Sequence, residues 1–152
     1  MDIERFALIG HLLAVFVFVA GYIGTNVLTE IARRAPSLEE RQAALAMSGR
    51  FDVWLYRRGG TAVIVSGPIV LWAFGYSITA PWVLASTALF LIFPVLGGLY
   101  WAPIGKRVDE AIMRGDDAAA AALMTAPRTV AVSRLENLAL VVIIVLMVYR
   151  PG

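Results

Sequence analysis

The sequence predicts an all-α, polytopic membrane protein: a four-transmembrane-helix bundle with short cytoplasmic helices in its loops. Two observations predict this fold class. The 152 residues are 60% hydrophobic and 16% charged, whereas a soluble domain is nearer half apolar and a quarter charged. The apolar excess lies in four runs of about 19 to 23 residues, each long enough to cross a hydrocarbon core of about 30 Å. These predicted spans are 6–28, 60–78, 82–104 and 129–149, within one membrane domain over residues 1–152.

The first span carries its polar side chains on one face, where they share an arc of about 100°. Because a helix in lipid turns polar groups away from hydrocarbon, we expect this face to look into the bundle. The run is too long for a cleaved signal peptide, so we expect a permanent span. Gly10, Gly21 and Gly24 form a groove beside the polar face that favours close helix packing. We name the polar face the polar stripe; it consists of His11, Tyr22, Thr25, Asn26 and Thr29.

The loop over 29–59 contains a helix signal of its own. Ser37 and Glu40 have the spacing of a capping box, in which the serine side chain accepts a hydrogen bond from the backbone three residues later. Gly49 has the position of a helix stop. We predict a short helix near 38–48 on the inner membrane surface, where the surrounding arginines favour anionic lipid headgroups.

Spans two and three contain residues that perturb helices. Pro68, Pro94 and the pair Gly97-Gly98 predict kinks or close backbone approach. Tyr100 and Trp101 close span three as aromatic residues of the membrane interface.

The loop over 105–128 also contains a predicted helix. Asp116 and Asp117 precede a run of alanines, and acidic residues at a helix start interact favourably with the helix dipole. We predict a short helix that begins there and ends near Thr125, because Pro127 follows.

Span four contains charged residues within an apolar run. Glu136 lies about 10–12 Å from the inner end of the span, a depth at which a charge needs a partner or water. Loss of hydration favours its neutral form, whereas the Arg134 side chain can extend back to the inner surface. His11 lies nearer the outer surface, so direct contact between His11 and Glu136 is not expected. We expect the polar stripe to face span four, and the predicted polar seam consists of Tyr22, Thr25, Asn26, Arg134, Glu136 and Asn137.

The basic residues are unevenly distributed along the chain. Ten lie in the two long loops, and two, Arg5 and Arg150, lie beside the first and last spans. The positive-inside rule therefore predicts cytoplasmic loops and both termini outside (N-out/C-out), in a multi-pass protein of the cell inner membrane.

The residue inventory excludes several classes of site. The chain contains no cysteine and one histidine, which excludes disulfides, thiolate chemistry and a multi-histidine metal site within one protomer. It has no phosphate-binding loop and no metalloprotease motif, so we predict no catalytic residue and no metal site. Nucleic-acid binding is not indicated, because topology explains the arginine clusters.

Three functions stay open. The glycine groove and the incomplete catalytic set favour a non-enzymatic protein that acts in the lipid bilayer as a homo-oligomer or as an accessory subunit of a larger complex. Alternatively, His11 binds a cofactor in a haem- or copper-linked redox protein, since a neutral imidazole is a common ligand. A third hypothesis is a proton-coupled carrier that uses Glu136.

Both ends of the chain resemble a known family. His11-Leu12-Leu13-Ala14 opens the chain with Gly21, Trp101-Ala102-Pro103 closes span three, and the last motif is Leu146-Met147-Val148-Tyr149-Arg150-Pro151. These residues resemble the bacterial integral membrane proteins of the domain-of-unknown-function family 2269, although Arg150 stands where lysine is usual. The resemblance implies four spans and supplies no activity.

A weaker similarity is to copper-resistance D proteins and J-type protoporphyrinogen oxidases, which also place a histidine early in the first span. It implies a haem ligand at His11. Span two of this chain has no lysine to match the one that the similarity would require.

Overall fold

The computed structural model describes residues 2–150, and all regular structure among them is helical, without a strand. Pro151 of the closing motif lies outside the described residues. Two π-helical stretches, the first π turn (Asp52–Tyr56) and the second π turn (Gly97–Trp101), each join two α-helices into one continuous helix. The α-helices are α1 (Ile3–Arg34), α2 (Leu38–Phe51), α3 (Arg57–Phe74), α4 (Pro81–Leu96), α5 (Ala102–Met113), α6 (Asp117–Thr125) and α7 (Pro127–Tyr149).

The described residues form two compact units, divided after Ser77. In the first unit, α1 lies antiparallel to the long helix made of α2, the first π turn and α3. Two contacts show this antiparallel pairing. A ring nitrogen of His11 is 2.9 Å from the Ser66 hydroxyl. Further along α1, Gly24 closely approaches the ring of Phe51. The first unit is therefore a helical hairpin.

The start of α2 agrees with the sequence, and its end does not. The Ser37 hydroxyl accepts a hydrogen bond from the Glu40 backbone at 3.3 Å, as the capping box predicts. The predicted stop at Gly49 is wrong, because α2 continues to Phe51 and through the first π turn into α3. A glycine inside a helix costs only about 1 kcal/mol, and packing of α2 against α1 offsets this cost.

Among the described residues, three segments are long and apolar enough to cross a membrane, which corrects the prediction of four on this criterion. They are α1, the 33-residue helix Pro81–Met113, and α7. The run predicted over 60–78 ends earlier as a helix, because Gly75 adopts a left-handed conformation (φ 67°) directly after α3. α3 also begins with two arginines before that run, so it is less apolar than the run indicated.

In the second unit, α4 continues through the second π turn into α5, and α4 lies antiparallel to α7. The Tyr100 hydroxyl is 3.1 Å from that of Thr129 at one end, and the Arg150 guanidinium lies over the Trp82 ring at the other. Pro94 lies inside α4 without ending it.

The loop predicted over 105–128 is largely helical. Its first third belongs to α5, and a turn through Gly115, with φ 73°, leads to α6. The Asp116 carboxylate caps α6 by accepting from the Ala119 backbone at 2.9 Å, and Pro127 begins α7. The predicted short helix is therefore confirmed.

The long helices expose most of their apolar surface. Only 22% of the most apolar window of α1 is buried within the protein, and 17% of that of α7. Apolar surface of this extent is unfavourable in water and suited to hydrocarbon, where helices satisfy their own backbone groups. The exposed surface therefore agrees with an integral membrane protein.

Candidate functional site

Members of the polar stripe contact α2, the first π turn and α3. Thr29 lies 3.3 Å from the Ser48 hydroxyl, and the Tyr22 ring centroid lies 5.9 Å from that of Tyr56. His11 makes the hydrogen bond with Ser66. These three contacts lie within the hairpin. That the polar stripe faces span four stays a prediction.

The direction of the hydrogen bond of His11 depends on the tautomer of its imidazole. Nδ1 lies 2.9 Å from the Ser66 hydroxyl, which also lies 2.7 Å from the Ala62 carbonyl oxygen and can donate to it. In the tautomer with its proton on Nδ1, His11 donates to the Ser66 oxygen, and Nε2 is left as an acceptor or a ligand. A hydrogen bond at the other ring nitrogen commonly orients a metal-bound histidine.

The inner part of the polar stripe is used for packing. Asn26 donates to the Tyr22 carbonyl on its own helix at 2.9 Å. The Ser48 hydroxyl donates to the Thr25 carbonyl at 3.3 Å, while the hydroxyl of Thr25 is buried without a partner among the described atoms. These contacts join α1 to α2 and assemble no catalytic set.

A buried carboxylate lies at the second π turn. Glu136 on α7 is 4% exposed and accepts a hydrogen bond from Nε1–H of Trp101 at 2.9 Å. The neighbouring Tyr100 bonds to Thr129, whose hydroxyl also lies 3.1 Å from the Leu123 carbonyl oxygen. The second π turn thus ties α5, α6 and α7 together.

Trp101 was missed as the partner of Glu136. Its position at the end of span three indicates an interface anchor, although an indole N–H is a donor that requires an acceptor when buried. An indole N–H that needs an acceptor and a carboxylate within an apolar run are the two sequence features that indicate this pair.

The polar residues of α7 do not share one environment. Glu136 is buried, whereas Arg134 and Asn137 lie on the exposed side of the helix. The polar seam that would unite these residues with Tyr22, Thr25 and Asn26 stays a prediction.

Arg41 was also missed, and it is 3% exposed. Its guanidinium donates to the carbonyl oxygens of Ala32, Arg33 and Ala35 at the end of α1. In the sequence, Arg41 is one of several arginines in the first long loop, and no local pattern distinguishes it from the others.

The described residues contain no group of three or more His, Asp or Glu side chains that could hold a metal ion. His11 therefore offers one imidazole ligand, and Glu136 offers one carboxylate beside an indole. Each polar site lies within its own unit.

The chain has no match among curated proteins or solved structures. A family model described as "Predicted integral membrane protein (DUF2269)" matches residues 7–151. The chain belongs to the DUF2269 family. The resemblance to this family is confirmed. A bacterial source, four spans and the similarity to copper-resistance D proteins stay predictions. DUF2269 membership and the exposed apolar helices together establish an integral membrane protein.

Proposed function

We propose that this DUF2269 chain is a non-enzymatic membrane protein that works within a larger assembly, as a homo-oligomer or beside other membrane subunits. The observation that carries the proposal is the exposed arginine of α7. Arg134 lies seven residues into the helix, about 10 Å from its start, and is exposed between the apolar side chains of Leu135 and Leu138. It makes no hydrogen bond or ion pair with the described residues.

An arginine at this depth is unfavourable against lipid unless it reaches water or a polar partner. Asn137 lies three residues further on the same face of α7, which makes this face more polar than a lipid-facing surface. A polar or acidic helix of another chain would provide a partner for the Arg134 guanidinium. This is why we place the assembly contact on α7.

The glycine groove gives weaker support to assembly than the sequence indicated. A methyl group at Gly21 would overlap the backbone of Leu55 and Tyr56, and one at Gly24 would overlap the Phe51 ring. These glycines therefore serve the hairpin of their own chain. Only Gly10 of the groove has open space beside it.

We further propose four membrane crossings in a single membrane domain, with α3 as the second. α3 lies along α1, and it exposes Ile64, Val65 and Trp72 by 57%, 60% and 71%. The apolar side of α3 is therefore suited to lipid, although α3 is short and less apolar than the other three membrane-spanning helices. The basic loops support an orientation with both termini outside, in the inner membrane of a bacterial cell.

The assembly is tested by purifying the full chain from membranes in a native-like nanodisc and measuring the mass of the particle. We expect more than one polypeptide per particle, and we expect Arg134→Leu to release a single chain. Arg128→Leu removes the same charge from the exposed first turn of α7 and should leave the assembly intact. A single-chain wild-type particle, or an assembly that Arg134→Leu leaves intact, would contradict the proposal.

A second candidate function rests on the orientation of His11. In the tautomer whose Nδ1–H donates to Ser66, Nε2 is available to bind a haem or a copper ion, as the redox hypothesis requires. Such a cofactor would supply electron transfer, and His11 and Ser66 would bind and orient it. Protein from native membranes should then show a Soret band or stoichiometric copper that His11→Leu removes, and the absence of both would reject this function.

A further inference from the structure

A cleft of about 390 Å³ lies between α5 and α6, at the end of the second unit. Its lining includes the apolar residues Ala111, Ala122 and Leu123, which we call the floor. Arg107 and Arg114 also line it, and we call them the rim. A mainly apolar cavity with a few charged groups at its edge is the usual form of a ligand site.

The two arginines of the rim are available for a ligand. Arg107 lies in α5 and Arg114 directly follows its last residue, seven positions further, so they lie on one face about 10 Å apart along the helix axis. Both are exposed, and neither guanidinium pairs with another side chain among the described residues. Glu110, the acidic residue of the lining, lies 4.0 Å from Lys106, which is outside the lining.

The position of the cleft along the helix indicates where the ligand comes from. The helix Pro81–Met113 has 33 residues, or about 50 Å, which exceeds a hydrocarbon core of about 30 Å. Its last third is the charged segment α5, beyond the interfacial residues Tyr100 and Trp101. The cleft therefore lies at the boundary between membrane and water, where lipid headgroups are the most abundant anions.

We propose that this cleft binds an anionic phospholipid, with its phosphate held by Arg107 and Arg114. A guanidinium forms paired, charge-assisted hydrogen bonds to phosphate oxygens. The alanine-rich floor would cover the glycerol and the first carbons of an acyl chain, which a free phosphate ion does not possess. A molecule with a charged headgroup and an apolar chain thus fits both the rim and the floor. This binding does not depend on whether the chain joins an assembly.

The test uses the full chain in neutral detergent, titrated with short-chain phosphatidylglycerol and followed by native mass spectrometry. We expect saturable binding of one lipid and at least tenfold weaker binding of short-chain phosphatidylcholine. Each of Arg107→Ala and Arg114→Ala should weaken binding about tenfold, as loss of a charge-assisted hydrogen bond requires. Ala122→Leu fills the floor without changing charge and should also weaken binding.

The matched control is the double variant Arg128→Ala with Arg150→Ala. It removes two positive charges from the same unit outside the lining, and it should keep the affinity of the wild type. If it weakens binding as much as the double variant of Arg107 and Arg114, the attraction is unspecific and the proposal is wrong. The proposal also fails if inorganic phosphate at equal concentration displaces the lipid, or if Ala122→Leu binds normally. Should the arginine variants not fold, the Ala122→Leu result decides.

Discussion

Arg41 stabilises the end of α1 through a buried guanidinium. The last carbonyl oxygens of a helix have no partners within it and carry partial negative charge. Arg41 donates to three of them from the following helix, and it is almost fully buried. One residue thus closes the corner between α1 and α2 and holds them in the hairpin.

Arg41→Met should therefore lower the free energy of unfolding by about 2 kcal/mol, because hydrogen bonds from a charged group are lost while the apolar stem remains. Arg34→Met is the matched control. Its side chain is 79% exposed and pairs only with Glu30, so we expect a change within about 0.5 kcal/mol. The measurement is equilibrium unfolding in mixed detergent micelles, followed by circular dichroism. Equal losses in the two variants would show that Arg41 does not cap the helix.

The Trp101–Glu136 pair can be assigned an energy by a double-mutant cycle. Glu136→Leu leaves the half-buried indole N–H of Trp101 without its acceptor and should cost about 1–3 kcal/mol. Glu136→Gln keeps an acceptor oxygen at the same place, so it should cost much less. In combination with Trp101→Phe, we expect a coupling of about 1–2 kcal/mol in unfolding measurements. A coupling near zero would mean that the 2.9 Å hydrogen bond adds nothing to stability.

At the scale of elements, α1 and the long helix opposite it meet through two glycines. A methyl group at Gly21 would overlap the backbone of Leu55 and Tyr56, and one at Gly59 would overlap the backbone of Phe18. The backbone atoms in the way cannot move as a flexible side chain could. The hairpin therefore depends on small residues from both helices at this crossing.

Gly21→Ala and Gly59→Ala should each destabilise the first unit by about 2 kcal/mol, because overpacking forces the helices apart. Gly10→Ala is the control on the same helix, since its added methyl group meets open space. It should be neutral or slightly stabilising, as alanine is the better helix former. Thermal unfolding of the three variants in one detergent compares them directly. A Gly10→Ala variant as unstable as the other two would contradict the close crossing.

The sequence predicted the starts of elements better than their ends and partners. The caps at Ser37 and Asp116 depend on neighbours within three residues, which the sequence shows directly. The continuation past Gly49 depends on packing against α1 and on a π turn that shifts the helical phase, so local periodicity could not show it. His11 and Glu136 were identified as residues of interest, but their partners lie 55 and 35 residues away in the chain. No helical or capping pattern connects residues that far apart.

At the scale of the whole molecule, the number of crossings decides where each turn lies. If α3 crosses the membrane beside α1, the turn after α3 is on the same side as the start of α1. If only the three longest apolar segments cross, that turn is on the opposite side. The chain contains no cysteine, so a single introduced cysteine reports its own location without a background.

We expect four crossings, because the exposed apolar side of α3 would otherwise lie in water. Glu4→Cys and Ile78→Cys should then react with a membrane-impermeant maleimide in intact cells, while Met113→Cys should react only after lysis. Ile78 and Met113 are 67% and 77% exposed, so accessibility within the protein does not limit either reaction. If the chain crosses three times and Glu4 is again outside, Met113→Cys should react in intact cells and Ile78→Cys should react only after lysis. Labelling of Met113→Cys in intact cells together with protection of Ile78→Cys would therefore reject α3 as a crossing helix.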